Sequence, residues 1–440
     1  MASAGPNTGS PVASAETPWR WIPSLYFGQG IPYVVVMTIA VIMYKNLGIS
    51  NADIALYTSW LYLPWVIKPL WSPIVDLFHT KRFWIVTLQF VIGVALALVA
   101  ITLPTSEFFR ITLAVLWLLA FSSSTHDIAA DGFYMLALEQ HQQAAFVGVR
   151  STFYRLAMIA GQGALVFLAG RLAERTGDVT FAWSLVFGVL SLLFLLLCMY
   201  HGRVLPRPST DQTVVGTGNL MLDFWTTFRA FFARKDILLV LAFLLTFRLG
   251  EAQALKLVAP FLLDERPAGG LGLSTAQVGI AYGTIGVIAL TLGGIAGGYM
   301  ISRGGLRRWV WPMLCAVHVP NLLFVLLAAL QPTSVPVITL AIAIEQFGYG
   351  FGFAAYMLFM IMVADGPNKS AHYAICTSFM ALGMMLPGMV SGWIQEQVGY
   401  PQFFLWVCLC TLPSLIVAAF LDIDPAFGRK KTTPAAVSDS

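Results

Sequence analysis

The sequence predicts an all-α integral membrane protein of twelve transmembrane helices in two six-helix, pseudo-symmetric halves. Three observations predict it. Apolar residues make up 58% of the 440-residue chain and charged residues only 10%, with a mean hydropathy of +0.78, whereas about a quarter of the residues in a typical globular protein are charged. The apolar runs are long enough for helices, which need about 20 residues to cross the hydrocarbon, and they lack the alternation of outer-membrane strands. A long, polar and basic stretch at 202–235 divides these runs six and six.

The runs fall at 20–44, 53–77, 83–103, 110–138, 146–172, 181–201, 236–264, 275–301, 309–330, 336–363, 371–397 and 402–422. Short connections make successive helices antiparallel neighbours. Residues 1–19, rich in Ala, Ser, Gly, Pro and Thr, read as a disordered tail without the apolar core of a secretory signal. The N-terminal half then covers 20–201, the linker 202–235, the C-terminal half 236–422 and a second tail 423–440. With both ends on one side, fifteen of the 25 Lys and Arg residues lie on that side and five in the opposite loops. This bias places both termini in the cytoplasm. The net charge of +4 reflects that topology, and nucleic acid is not an expected partner. Cys198, Cys315, Cys376, Cys408 and Cys410 all fall inside predicted helices, where they read as small apolar residues and support neither a metal site nor a disulfide.

The remaining five bases lie within the helices, where a charge costs about 2.5–3.5 kcal/mol at the centre. The second helix carries Lys68, the fourth His126, Asp127 and Asp131, and the fifth Arg150 and Arg155. The seventh carries Arg248, Glu251 and Lys256, and the tenth Glu345. The third, sixth and twelfth carry no ionisable side chain in their interiors and the ninth only His318, so these four are expected to face lipid while the charged helices line a wet interior. Depth counted along the antiparallel fourth and fifth helices sets Asp131 level with Arg150 and Asp127 level with Arg155. Asp131–Arg150 is read as a structural salt bridge. Arg248 and Glu251, three residues apart, share a helix face. Glu345 falls near the depth of Glu251, with no base level with it on a neighbouring helix. A carboxylate removed from water can load and unload a proton near neutral pH, which makes Asp127, Glu251 and Glu345 the proton-coupling candidates.

Gly28-Gln29-Gly30-Ile31-Pro32, Pro64, Pro69, Pro73 and Gly348-x-Gly350-x-Gly352 mark places where helices are expected to bend around a cavity. Tyr349, Phe353 and Tyr356 fall on or near the Glu345 face, where aromatic rings can stack on a sugar. No zinc-protease motif, nucleophile elbow or cofactor-binding loop domain occurs, so an enzyme is not expected.

The loops after the second and eighth helices repeat one another: Ser72-x3-Asp76-x4-Lys81-Arg82 parallels Gly298-x3-Ser302-Arg303-x-Gly305-x-Arg307-Arg308. This pattern resembles the loop motif of the major facilitator superfamily, which implies gating or structural roles for Asp76, Arg307 and Arg308 beside Asp131 and Arg150. Leu25-Tyr26-Phe27-x-Gln29-Gly30-Ile31-Pro32 and Lys68-Pro69-Leu70-Trp71-Ser72-Pro73-Ile74-Val75-Asp76 are similar to the first two helices of its peptide–acetyl-coenzyme A transporter family. His126-Asp127-Ile128-Ala129-Ala130-Asp131-Gly132, Tyr154-Arg155-Leu156 and Arg248-Leu249-Gly250-Glu251 extend the likeness. His stands at the first place of that signature where the family has Gln.

The resemblance implies the major facilitator fold and, by its AmpG-type members, proton-driven import of N-acetylglucosaminyl-anhydro-muramyl peptides across a bacterial inner membrane. The expected partners are a small-molecule solute, protons and lipid, with no cofactor and no metal, and the expected state is a monomer. Tyr26, Gln29, Lys68, Arg155, Arg248, Lys256, Tyr349 and Tyr356 are the substrate-binding candidates. Lys256 and the run 348–356 depart from the AmpG pattern and leave the solute open to a siderophore, another sugar acid or an acyl-coenzyme A. The deep charges, Lys68, Arg155, Arg248 and Lys256 against Asp127, Glu251 and Glu345, leave an excess of one base, which disfavours the highly anionic coenzyme A.

Overall fold

The computed structural model describes residues 16–209, 211, 220–365 and 369–428. Of the expected tails 1–19 and 423–440, residues 1–15 and 429–440, with the bases Arg429, Lys430 and Lys431, lie outside the described residues, as does most of the stretch between 210 and 219, while Glu16–Trp19, expected as disordered, forms a short helix. Among the described residues ten helices are long and apolar enough to cross a membrane. They are α1 (Ile22–Asn46), α4 (Lys81–Thr102), α5 (Phe108–Ala137), α6 (His141–Thr176), α7 (Val179–Val204), α9 (Ile237–Leu263), α10 (Thr275–Gly304), α11 (Leu306–Leu330), α12 (Val335–Val363) and α13 (Ala371–Ala418). Between them lie α2 (Asn51–Trp60), α3 (Leu63–Leu77) and α8 (Leu220–Phe232).

Two departures from the expected run of twelve have backbone causes. The run expected at 53–77 is divided, because the helix ends at Trp60 and restarts at Leu63 with Pro64 in its first turn; a proline there sacrifices no helical hydrogen bond, whereas one deeper in a helix would. The last two expected runs are joined in α13, which is interrupted by a turn at 410–411 and redirected at Gly399, whose φ is 76° and ψ 169°. That backbone conformation is open to glycine and to almost nothing else. Within the stretch expected as linker, α8 forms and docks by burying Phe231 against Phe232 and His372.

The expected bend at Gly348, Gly350 and Gly352 does not occur: α12 runs unbroken from Val335 to Val363. The glycines serve packing instead. A Cβ on Gly348 would overlap Ala316 O of α11, one on Gly350 would overlap Leu290 O of α10, and one on Gly352 would overlap Met313 O of α11. Only a bare Cα lets the helix axes come this close.

The same device joins the helices before the linker to those after it. α1, α6 and α10 each contain a widened π-helical segment, Val35–Ile39, Ala160–Leu165 and Gly279–Gly286. Here Gly161 lies on Val34, while Gly283 lies directly on Gln162 O. The largest apolar cluster crosses this junction and includes Val34, Phe187, Leu257 and Phe404. The expected result for Gly283→Ala is a loss of about 1–3 kcal/mol from backbone overpacking, read as a lowered melting temperature in detergent. Gly188→Ala in α7 has open space around its Cβ, and should be neutral or stabilising by up to about 1 kcal/mol.

Candidate functional site

A cavity of about 750 Å³ lies between the helices that precede the linker and those that follow it. α1 contributes Tyr26, Gln29 and Tyr33, spaced three and four residues apart so that they share one face. α5 contributes Asp127 and Asp131, and α6 contributes Arg150, Tyr154, Arg155 and Gln162. From the later helices come Arg248 and Glu251 of α9, Tyr282 and Thr291 of α10, and Glu345, Gln346, Tyr349 and Phe353 of α12. α4, α7 and α11, whose charges lie only at their ends, line none of it.

Two ion pairs have the expected partners. Arg150 Nη2 lies 2.8 Å from Asp131 Oδ1. Its guanidinium stands 4.6 Å from the ring centre of Tyr26, whose hydroxyl is 3.5 Å from the same carboxylate oxygen. Both charged side chains are about a third exposed, so water screens the pair and its net worth is about 0–1 kcal/mol. Arg248 and Glu251 are far drier, at 11% and 7% exposed. Arg248 donates through Nη2 to Oε1 at 2.9 Å and through Nε to Oε2 at 3.1 Å. Its guanidinium faces the rings of Tyr349 at 5.4 Å and Phe353 at 5.3 Å. The pair sits where α9 breaks: Arg248 has a φ of −106° and a ψ of 14°, and the helix restarts at Leu249. Glu251 thus lies in a first helical turn, where the helix dipole favours a negative charge.

The expected match of Asp127 with Arg155 does not form. Asp127 Oδ2 accepts from Trp65 Nε1 at 3.1 Å and lies 3.9 Å from Lys68 Nζ, because α3 packs against α5 at this depth. Arg155 turns away across the cavity and donates through Nη1 to Thr291 Oγ1 of α10 at 3.2 Å. Gly294, one turn further along α10, lies beside that guanidinium. Among the described residues no carboxylate pairs with Arg155. Glu345, 5% exposed, accepts from its neighbour Gln346 at 2.9 Å and likewise has no cationic partner among the described residues.

Three substrate-binding candidates lie outside the cavity lining. Lys68 is held beside Asp127. Tyr356 is fully buried, stacks on Phe247 at 4.2 Å and donates to Leu244 O at 2.6 Å, so it is spent on helix packing. Lys256 is buried between α9 and α2 and is not itself part of the lining, although Tyr62, whose ring centre lies 5.0 Å from its Nζ, is. Arg307 and Arg308 are exposed at the start of α11, and Asp76 lies on α3 with its side chain outside the described residues. The sequence count of charges therefore changes. The lining holds Arg150, Arg155 and Arg248 against Asp127, Asp131, Glu251 and Glu345, an excess of one acid.

Tyr33, Gln162, Tyr282, Thr291 and Gln346 also line the cavity and escape a search based on charge. Hydroxyls and amides within otherwise apolar runs are the signal that could have found them. Among the described residues no group of three or more His, Cys, Asp or Glu side chains could hold a metal ion.

A family model described as the BT1 family matches residues 29–421. The chain is 26% identical over 412 residues to the putative transporter AmpG 4 of Rickettsia conorii, covering 90% of this chain and 94% of that protein. It is 25% identical over 405 residues to the anhydromuropeptide permease of Escherichia coli K12, covering 89% and 77% respectively. In fold it is similar to a bacterial homolog of the human lysosomal transporter Spinster, solved inward-facing and unoccupied, with a TM-score of 0.69 at 14% identity over 93% of this chain and 97% of that one.

Breaking the buried Arg248–Glu251 pair from one side should be far worse than removing both charges. Arg248→Ala is expected to destabilise by about 3–5 kcal/mol, and adding Glu251→Gln should recover much of that loss. Thermal unfolding of the single and double variants in detergent measures the difference.

Proposed function

The chain belongs to the BT1 family, and from that membership we propose that it is a proton-coupled importer of muropeptides or related amino-sugar saccharides. Its relatives are permeases and transporters, so it is a multi-pass membrane transporter and not an enzyme. The observation that carries the finer reading is the pair of cavity groups without ionic partners among the described residues, the base Arg155 and the acid Glu345. Arg155 receives the carboxylate of the solute, with Thr291 beside it. Tyr33, Tyr154, Tyr349 and Phe353 offer ring faces to the sugars, while Gln29, Gln162 and Gln346 meet hydroxyls and acetamides. Glu345 carries the proton, and the Arg248–Glu251 pair beside it keeps the remaining charge neutral until the site changes. Asp127 is a second coupling candidate, held by Trp65 and Lys68. Asp131–Arg150 acts as a gate at the cavity mouth, with Asp76, Arg307 and Arg308 in supporting loop roles.

In this reading α2 and α3 form one broken span and α13 two spans around Gly399, making twelve. The two six-helix halves, 20–201 and 236–422, rock to expose the site alternately. The protein works as a monomer in a bacterial inner membrane with both termini cytoplasmic. The second reading is a family transporter for another solute, such as a siderophore or another sugar acid. Four carboxylates against three arginines argue further against acyl-coenzyme A.

In proteoliposomes, an imposed inward proton gradient should drive accumulation of N-acetylglucosaminyl-anhydro-muramyl peptide. Uptake that ignores this gradient and follows sodium instead would sink the proton reading. Glu345→Gln should abolish accumulation but spare exchange of solute. Arg155→Ala should weaken solute binding by about ten- to a hundredfold, the worth of a charged hydrogen-bonded contact.

A further inference from the structure

Lys256 is an intramembrane base that neither the cavity nor an ion pair claims. Its side chain is 1% exposed. Nζ donates to Thr58 Oγ1 of α2 at 3.0 Å and stands 5.0 Å from the ring centre of Tyr62. Thr58 Oγ1 in turn donates a hydrogen bond to Ile54 O at 2.7 Å. The third wall is α13, where Gly388 lies so close that a Cβ would be 3.4 Å from Lys256 Cγ and 2.6 Å from Ser59 Oγ. No carboxylate among the described residues lies within ion-pair distance. One hydroxyl and one ring face replace little of the hydration that an ammonium loses here.

The position of this group matters as much as its poverty. Five residues earlier on α9, Glu251 lines the cavity; eight residues later, Asp264 belongs to a dense polar seal. There Lys45 Nζ lies 2.5 Å from Asp264 Oδ1, and Tyr400 donates to Asp264 Oδ2 at 2.6 Å. Asn51 Nδ2 reaches Gln395 at 2.7 Å and Tyr400 at 3.0 Å, and Ala52 N donates to Glu396 at 2.9 Å. Each of these contacts except Tyr400–Asp264 joins a residue before the linker to one after it. The cavity opens away from the seal, at the partly exposed Asp131 and Arg150. Lys256 therefore sits in the dry contact between the halves, just inside the seal.

We propose that Lys256 is a spring in this contact: its unfavourable burial pushes the halves apart on the sealed face and opposes the polar contacts that hold them shut. Separation wets the ammonium, and closure strips it. A transporter must keep its two states close in free energy, because a large gap leaves one of them unvisited. A wholly apolar contact at this place, added to the seal, would trap the closed face. The inference rests on alternating access but not on the identity of the solute, and its test needs no solute.

The test places a reporter cysteine at Ser59, buried in the same contact, in a chain whose five native cysteines are replaced by alanine. Labelling by a membrane-impermeant maleimide from the sealed face reports opening. Lys256→Met should slow labelling by about fivefold and raise the melting temperature by about 2–4 °C. Thr58→Val, which removes the hydroxyl partner of the ammonium, should act in the opposite direction and speed labelling. Asp264→Asn, which weakens the seal, should also speed it. Faster labelling or a lower melting temperature in Lys256→Met overturns the proposal, as does unchanged or slower labelling in Thr58→Val. If Lys256→Met fails to fold, Lys256 is a structural support and the spring is overturned, while the transport reading stands untouched.

Discussion

Hydrocarbon offers no hydrogen bonds, so every polar group carried into it must find a partner inside the protein or in a wet cavity. That constraint organises this molecule. Most of its intramembrane polar groups are paired off in ways that tie helices together. Gln89 of α4 bridges His126 of α5 at 3.2 Å and His201 of α7 at 2.9 Å, and Ser24 of α1 lies 2.9 Å from the other His201 nitrogen. His318 of α11 meets Ser414 of α13 at 2.8 Å. Arg248 and Glu251 satisfy each other with two parallel hydrogen bonds. Such networks stabilise one arrangement only when every member is satisfied. Against that background Arg155, Glu345 and Lys256 stand out, because each is ionisable and lacks an ionic partner among the described residues.

The three exceptions differ in what surrounds them. Arg155 and Glu345 face a cavity with hydroxyls, amides and ring faces near them, which suits groups waiting for a ligand or a proton. Lys256 faces a packed interface with Thr58, Tyr62 and Gly388. An unpaired charge in a cavity awaits a partner; an unpaired charge in an interface strains that interface. An ionisable group inside the membrane thus has different consequences, depending on whether water can reach it.

Glycine sets how tightly these surfaces close. Gly283 on Gln162, Gly392 on Asn51 and Gly350 on Leu290 bring backbones together where any side chain would hold them apart. Gly392 thereby brings α13 against Asn51, where the polar seal can form. The seal and the glycine contacts favour closure of one face, while the charges within favour opening, and the balance between them makes a moving protein possible.

Much of this was legible in the chain. Composition and run length determine an all-helical membrane protein, since hydrocarbon tolerates little else at this length and polarity. The position of ionisable residues picked out α5, α6, α9 and α12 as lining helices but missed α1 and α10, and the pairs Asp131–Arg150 and Arg248–Glu251 followed from depth and helical spacing. The tertiary structure decided the rest. Whether α12 bends or packs at its glycines depends on which neighbours approach, and spacing within one helix is silent about them. Asp127 and Arg155 are level in sequence yet separate in space, because α3 brings Trp65 and Lys68 to one while α10 draws the other to Thr291. Helical periodicity gives the direction of a side chain relative to its own axis. Only the packing of several helices determines whether that direction ends in water, in another charge, or, as for Lys256, in a dry contact between α9, α2 and α13.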